Sequence, residues 1–252
     1  MSQPIDKDHF SGHAACYEAA RPSYPEALFH YLASICPRHE LAWDCATGNG
    51  QAAVPLARYF RSVVATDASQ RQIDQARPCA SVHYQVAMSD AAPLESATAD
   101  LITVAQALHW FDLPKFYREV SRVARPGGIL AVWCYEMHSI SPEIDRVVNH
   151  LYSNIVGPDW PPERRLVEDG YRTIDFPFDE VVAPLFEMKH SWELNQALAY
   201  FASWSATQRH RARTGVDPLA LIGPDLERAW GDPALAREVT WPLNVRIGKV
   251  TH

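Results

Sequence analysis

The sequence is poor in features that mark several common protein classes. Only five of its 252 residues are cysteine: Cys16, Cys36, Cys45, Cys79 and Cys134. The count is odd, the spacing is wide and no C-x-x-C occurs. That pattern excludes a disulfide scaffold or a zinc site built on paired cysteines, and fits a reducing, cytoplasmic setting. Long apolar runs are also missing. The best candidate, residues 101–111, is broken by Gln106 and His109 and falls short of the ~20 residues that span a bilayer. The opening residues MSQPIDKDHF show no basic stretch followed by an apolar one, so no secretory leader is expected. Basic charge is scarce, with 23 Lys+Arg against 30 Asp+Glu and a net charge of −7. The densest basic stretch is Arg209, Arg211 and Arg213 around His210, most simply a solvated helix face. Nucleic-acid binding usually requires a basic face, so neither nucleic acid nor membrane is expected as a partner. No internal repeat and no low-complexity tract is present.

What remains is an ordinary globular composition, 47% hydrophobic and 21% charged, enough to bury a substantial core. From Leu41 to Tyr135 strand-like and helix-like segments alternate. Strands are expected at 41–44, 63–67, 82–86, 101–105 and 129–135, and helices at 51–60, 70–77 and 112–124. Asp112 stands as a helix cap, and Pro126-Gly127-Gly128 as a stop. Such alternation implies parallel βαβ units, and the apolar strands suit a sheet covered on both faces. Beyond Tyr135 the pattern changes. Helices are expected at 141–153, 193–212 and 218–230, and extended segments at 185–192 and 239–250. The two late strands read as a pair at one sheet edge. The segment 157–180, rich in Pro, charge and aromatics, has no regular pattern. The whole reads as one domain: a lid over 1–30, a core over 31–137, and helical cap insertions at 138–180 and 193–235.

The chemistry concentrates in the first strand–helix turn, Asp44-Cys45-Ala46-Thr47-Gly48-Asn49-Gly50. Open α/β sheets bind ligands beyond such strand ends. Gly48 and Gly50 allow close approach of backbone to a ligand. Taken alone, G-x-G-x-x-A also fits dinucleotide binding or a plain tight turn. Two acids discriminate. Asp44, ending the first strand, would repel a pyrophosphate but welcome an ammonium group. Asp67, ending the second strand, is placed to accept both hydroxyls of a ribose. An amine-bearing nucleoside without phosphates satisfies both, and S-adenosylmethionine is one. A nicotinamide oxidoreductase on the same loop would leave Asp44 and Ser89-Asp90 unexplained. A protein that binds S-adenosylmethionine without catalysis stays open, because methyl displacement needs no signature residue.

Here the sequence resembles the class I S-adenosylmethionine-dependent methyltransferases. Residues 44–50 resemble their D-x-G-x-G-x-G motif, with Ala46 in place of the first glycine. Asp67 matches the ribose acid, Ser89-Asp90 the adenine-binding segment, and residues 100–107 the fourth strand. Arg125-Pro126-Gly127-Gly128 resembles the turn before the fifth. The opening Phe10 to Pro25 and Gln106 to Asp112 are similar to a subgroup related to trans-aconitate methyltransferases. The resemblance implies an α/β, Rossmann-like fold: a seven-stranded, mostly parallel sheet with helices on both faces and a helical cap. It implies S-adenosylmethionine as cofactor, bound by Asp44, Ala46, Thr47, Gly48, Asn49, Gly50, Asp67, Ala68, Ser89, Asp90, Ala105 and Gln106. It implies a small-molecule acceptor, methylated on a carboxylate or hydroxyl oxygen by a monomer or homodimer, with no metal.

Three residues are candidates on the acceptor side. His109, just past the fourth strand, suits a general base, or packs with Trp110 to hold its loop. Arg21 suits a bidentate bond to a carboxylate, or an ion pair within the lid. Tyr17 suits the methionine carboxylate, or lid packing. His138 reads as an exposed loop histidine, and Trp160, Trp192, Phe201 and Trp204 read as core.

Overall fold

The computed structural model describes residues 23–251. These fall into two compact units. One comprises residues 23–136, 165–187 and 242–251, and the other residues 137–164 and 188–241. Residues 165–180, expected with the cap, group with the sheet.

The sheet unit opens with a helix, Glu26–Ile35. Five parallel strands follow: β1 (Leu41–Cys45), β2 (Ser62–Asp67), β3 (Val82–Val86), β4 (Ala99–Ala105) and β5 (Ala124–Tyr135). β6 (Asp179–Val181), β7 (Phe186–Trp192) and β8 (Arg237–Lys249) come late in the chain. The order is β3-β2-β1-β4-β5-β8-β6, with β7 paired to β8 off that path. β8 runs antiparallel to both β5 and β6. This is the parallel core that the alternating pattern implies and the Rossmann-like sheet that the resemblance implies, with eight strands in place of the expected seven.

The two late strands, β7 and β8, pair as expected, but their place is corrected: β8 lies inside the sheet, and the three-residue β6 forms the edge from a stretch with no strand pattern of its own. The reason is tertiary. Arg246 of β8 donates to Glu180 at 2.7 Å, and its guanidinium lies 4.5 Å from the centroid of the Phe176 ring. β6 therefore pairs by tertiary contact, which alternation cannot report.

Helix extents are corrected too. The first crossover helix is only Ala53–Leu56, and the second only Gln70–Asp74. The third, Leu113–Val123, forms as expected, with Asp112 accepting from the Lys115 N–H. Its apolar side, Phe116, Val120 and Val123, packs with Trp43, Ile102, Leu130 and Val132 in one buried cluster. The expected glycine stop proves to be part of β5. Pairing slips between Ala99 and Leu101, and a Cβ on Gly128 would sit 2.9 Å from the Arg125 carbonyl. That bulge delivers Arg125 to the buried Asp100 at 2.9 Å. Asp100 also accepts the N–H groups of Glu40 and Leu41 at 2.9 and 3.0 Å, joining the starts of β1, β4 and β5.

The second unit holds the helices Pro142–His150, Leu194–Ala202, Ser205–Thr214 and Pro218–Trp230. The expected helix at 193–212 is thus two, joined at Ser203-Trp204. His138 is not an exposed loop histidine. It is 6% exposed and stacks on Phe201 at 5.3 Å, beside Tyr200, Trp204 and Trp241. Burial pushes its imidazole down to about 4, so it is neutral near pH 7. The Arg209–Arg213 stretch is not wholly solvated either. Arg213 binds the buried Asp159 through two nitrogens at 2.7 and 2.8 Å, and His210 joins at 2.9 Å.

Removing the carboxylate of Asp100 leaves Arg125 and two backbone N–H groups without it. Asp100→Ala is expected to lower stability by about 3 kcal/mol, in the range for breaking a buried pair, measured by urea denaturation.

Candidate functional site

The strand order reverses between β1 and β4, and the carboxyl ends of parallel strands at such a switch point are where open sheets bind ligands. Asp44 and Asp67 stand there, at the ends of β1 and β2. The β1–β2 register sets Asp44 opposite Ala65, and the β1–β4 register sets it opposite Thr103.

Asp44 is 1% exposed, so it lies beneath the glycine turn and not open above it. Thr47 donates its hydroxyl to one carboxylate oxygen at 2.6 Å, and Thr103 donates to the other at 2.7 Å. Desolvation by burial nevertheless raises its carboxyl to about 6, against the lowering effect of those hydroxyls and of the Ala53 N–H. Asp44 supplies negative potential from below the turn.

Asp67 is half-buried at the rim. Its two oxygens accept the N–H groups of Gly48 and Ser69, both at 2.9 Å. Each keeps acceptor capacity beyond those bonds, and burial raises this carboxyl as well.

The turn itself is strained where the family pattern has glycine. Ala46 keeps a left-handed backbone, φ 55°, which costs an L-residue about 1–2 kcal/mol. Thr47 anchors the turn by donating its N–H to the Thr66 carbonyl at 2.9 Å. Among the described residues a Cβ on Gly48, φ 56°, would meet nothing nearer than 3.8 Å, so close approach to that backbone is sterically open on their side. Gly50 is glycine for another reason: the Tyr84 hydroxyl of β3 occupies the place of a Cβ. That hydroxyl donates to the Arg77 carbonyl at 2.8 Å, and the Arg77 N–H donates to the Asn49 carbonyl at 3.0 Å.

Beyond β3 come Ala87, Met88, Ser89 and Asp90. Ser89 is half-buried and Asp90 exposed, as is Ala68 beside Asp67. Val86 and Met88 are 47% and 43% exposed, an apolar rim that sequence reasoning passed over. Their signal was the exposed face of a short strand leading into Ser89-Asp90.

At the end of β4, Ala105 pairs with Trp133, and Gln106 takes a left-handed backbone, φ 55°. Its side-chain amide donates to the Tyr135 carbonyl and accepts the Tyr135 N–H, both at 3.2 Å. Gln106 thus clamps β4 to β5. His109 follows in the short 3-10 turn Leu108–Trp110. It is half-buried, and its Nδ1 lies 2.8 Å from the Tyr171 hydroxyl. Tyr171 is a third residue that sequence reasoning missed, because it arrives from 62 residues away. Tyr17 and Arg21 lie outside the described residues. Among the described residues no cluster of His, Cys, Asp or Glu could hold a metal. An open groove of ≈ 830 Å³ lined by Leu113, Tyr117, Arg118 and Phe178 contains none of these strand-end residues.

Two variants test the turn. Asp44 has its carboxyl raised on folding, so its stabilising effect is complete below about pH 4 and is lost as pH rises through about 6. Asp44→Asn is expected to flatten that dependence. Relative to the variant, the wild type should lose roughly 2–3 kcal/mol between pH 4 and 7, read from urea midpoints. Ala46→Gly relieves the left-handed strain but loosens the unfolded chain, for a net gain of about 0.5–1 kcal/mol, read as a higher Tm.

Comparison with known proteins agrees with this geometry. Residues 43–132 match the family model of a methyltransferase domain. A protein of Dictyostelium discoideum described as a methyltransferase is 34% identical over 99% of this chain and 99% of its own. A methyltransferase of Mycobacterium bovis is 36% identical over 49% of this chain and 51% of its own. The solved structure of a type II methyltransferase from Anaeromyxobacter dehalogenans superposes with TM-score 0.87 at 45% identity, covering 92% of this chain and 98% of that one. The names of these relatives specify no acceptor. The chain belongs to the class I S-adenosylmethionine-dependent methyltransferases.

Proposed function

We propose that this methyltransferase binds S-adenosylmethionine at the ends of β1–β4 and methylates an oxygen, carboxylate or hydroxyl, of a small organic acceptor. The observation that carries the cofactor reading is the pairing of Asp44 and Asp67 around an open glycine backbone. A buried anion lies below the turn, a two-oxygen acceptor stands at its rim, and Gly48 leaves no side chain in the way. That donor set suits a cation carrying a diol and disfavours a pyrophosphate.

When bound, S-adenosylmethionine supplies an electrophilic methyl on a sulfonium. The chain's own residues hold and orient. Asp67 accepts the ribose hydroxyls. The backbone of Ala46, Thr47, Gly48, Asn49 and Gly50 lies along the amino-acid end, with Asp44 beneath as counter-charge. Ser89 and Asp90 face the adenine amino group, with Val86 and Met88 as apolar surface for the ring. Ala68, Ala105 and Gln106 complete the wall. His109, past β4, faces the acceptor, and Arg21 and Tyr17 are assigned to the acceptor and cofactor carboxylates through the family resemblance. Orientation alone contributes much in such a displacement, because a well-aligned pair gains about 7–11 kcal/mol.

The acidic net charge supports a small-molecule acceptor over nucleic acid, and no helix among the described residues is long and apolar enough to cross a membrane. The cysteine pattern supports the cytoplasm, and monomer or homodimer is the assembly proposed.

The test is calorimetric titration with S-adenosylmethionine, S-adenosylhomocysteine and NAD. Saturable binding of the first two and no response to NAD is expected. Asp67→Ala should weaken the first two by about 10–100-fold, the worth of charge-assisted hydrogen bonds. Binding of NAD alone would overturn the cofactor reading, and unchanged affinity in Asp67→Ala would overturn the site assignment.

A further inference from the structure

His109 has a well-defined partner in Tyr171. Its Nδ1 lies 2.8 Å from the Tyr171 hydroxyl, with ring centroids 6.0 Å apart. The element that presents Tyr171 is unusual. After the short helix Arg164–Glu168 the chain makes two successive left-handed residues, Gly170 and Tyr171, both at φ 59°. Gly170 cannot be replaced cheaply, since a Cβ would lie 2.7 Å from the Asn244 side chain. Tyr171 keeps the left-handed backbone without glycine's freedom, and strain of this kind persists only where surroundings over-determine it. They do so here. The Tyr171 N–H donates to the Leu166 carbonyl at 2.8 Å, and Arg246 donates to the Tyr171 and Ile174 carbonyls at 2.9 and 2.7 Å. Arg246 is fixed in turn by Glu180. The strain and its supports deliver one group, a fully buried phenol, to one ring nitrogen.

The direction of that hydrogen bond follows from what surrounds the phenol. Tyr171 is 0% exposed. Burial raises its hydroxyl well above the ordinary range, so the phenol keeps its proton. Its hydrogen has His109 Nδ1 as its acceptor among the described residues. Were Nδ1 the donor instead, the phenol hydrogen would be buried with no acceptor, a penalised arrangement.

We propose that Tyr171 is a positioning residue that donates to Nδ1 and so holds the neutral His109 ring as its Nε2–H tautomer. This rests on the proposed function only for its consequence. With the proton on Nε2, His109 offers the acceptor a hydrogen-bond donor and not a base. The site therefore suits an acceptor whose nucleophilic oxygen arrives without a proton, over a neutral alcohol whose proton must be removed. The general-base role expected of His109 gives way to orienting and charge-stabilising work.

The tautomer is directly readable without acceptor or cofactor. The full chain is labelled with 15N-histidine and two-bond 1H–15N correlations are recorded at pH 8, above the ordinary imidazole range. His109 is assigned by difference from His109→Asn. The expected wild-type pattern is a protonated Nε2 and an unprotonated Nδ1 shielded by the hydrogen bond it accepts. In Tyr171→Phe, with folding checked by circular dichroism, that shielding disappears while the other histidines keep their shifts. A wild-type Nδ1 that carries the proton overturns the proposal, and so does a folded Tyr171→Phe with unchanged His109 signals. If Tyr171→Phe does not fold, the wild-type spectrum alone decides the direction of the bond. Failure of the S-adenosylmethionine titration would leave this spectrum unaltered, so the two readings fail separately.

Discussion

A carboxylate buried under a turn is the constraint on which the site depends. Asp44 ends β1 without reaching solvent, and its two oxygens are taken by hydroxyls from different places, Thr47 in the turn and Thr103 in β4. A buried ionised group is tolerated only when paired or hydrogen-bonded. The turn therefore has to close over Asp44, and β4 has to lie beside β1 in one register. Asp67 completes the arrangement from the rim by accepting the Gly48 N–H. The glycine turn is pinned from below and from the side, with Gly48 and Asn49 half-buried at its tip.

Backbone strain collects past the ends of β1 and β4 and in the turn after the helix Arg164–Glu168. Ala46, Gln106 and Tyr171 all adopt left-handed backbones that favour glycine. Each is locked by a bond pattern its neighbours supply. Thr47 anchors to the β2 carbonyl, the Gln106 amide bridges to Tyr135, and Arg246 grips the Tyr171 and Ile174 carbonyls. Ala46 is instructive. Read against the family motif it is a departure, yet its backbone is left-handed, the conformation that favours glycine. The tertiary hold on either side outweighs the preference of one residue.

Much of the sheet unit was legible because its signals are local. Apolar runs without alternation marked the buried parallel strands, and Asp112 capped its helix as its position suggests. The acids at 44 and 67 stood out because each closes a strand. Legibility failed where the cause was remote. β6 has three residues and forms because Arg246 and Phe176 bring it to β8. His138 looked like a loop histidine because its aromatic neighbours, Phe201, Trp204 and Trp241, lie more than sixty residues away in the chain. Arg213 looked solvated because its partner Asp159 is 54 residues distant.

By itself the sequence determined the order of strands and crossovers, the place of the glycine turn and the chemistry of the two strand-end acids. These follow from periodicity and from residue type at short range. Tertiary structure decided the rest. It buried Asp44 beneath the turn, where the Thr47 and Thr103 hydroxyls replace water at its two oxygens. It set β8 inside the sheet, because an antiparallel partner for β5 satisfies a backbone that no neighbouring segment reaches. It brought Tyr171 to His109, since a hydrogen bond needs two groups at one point in space and their separation along the chain carries no trace of that meeting.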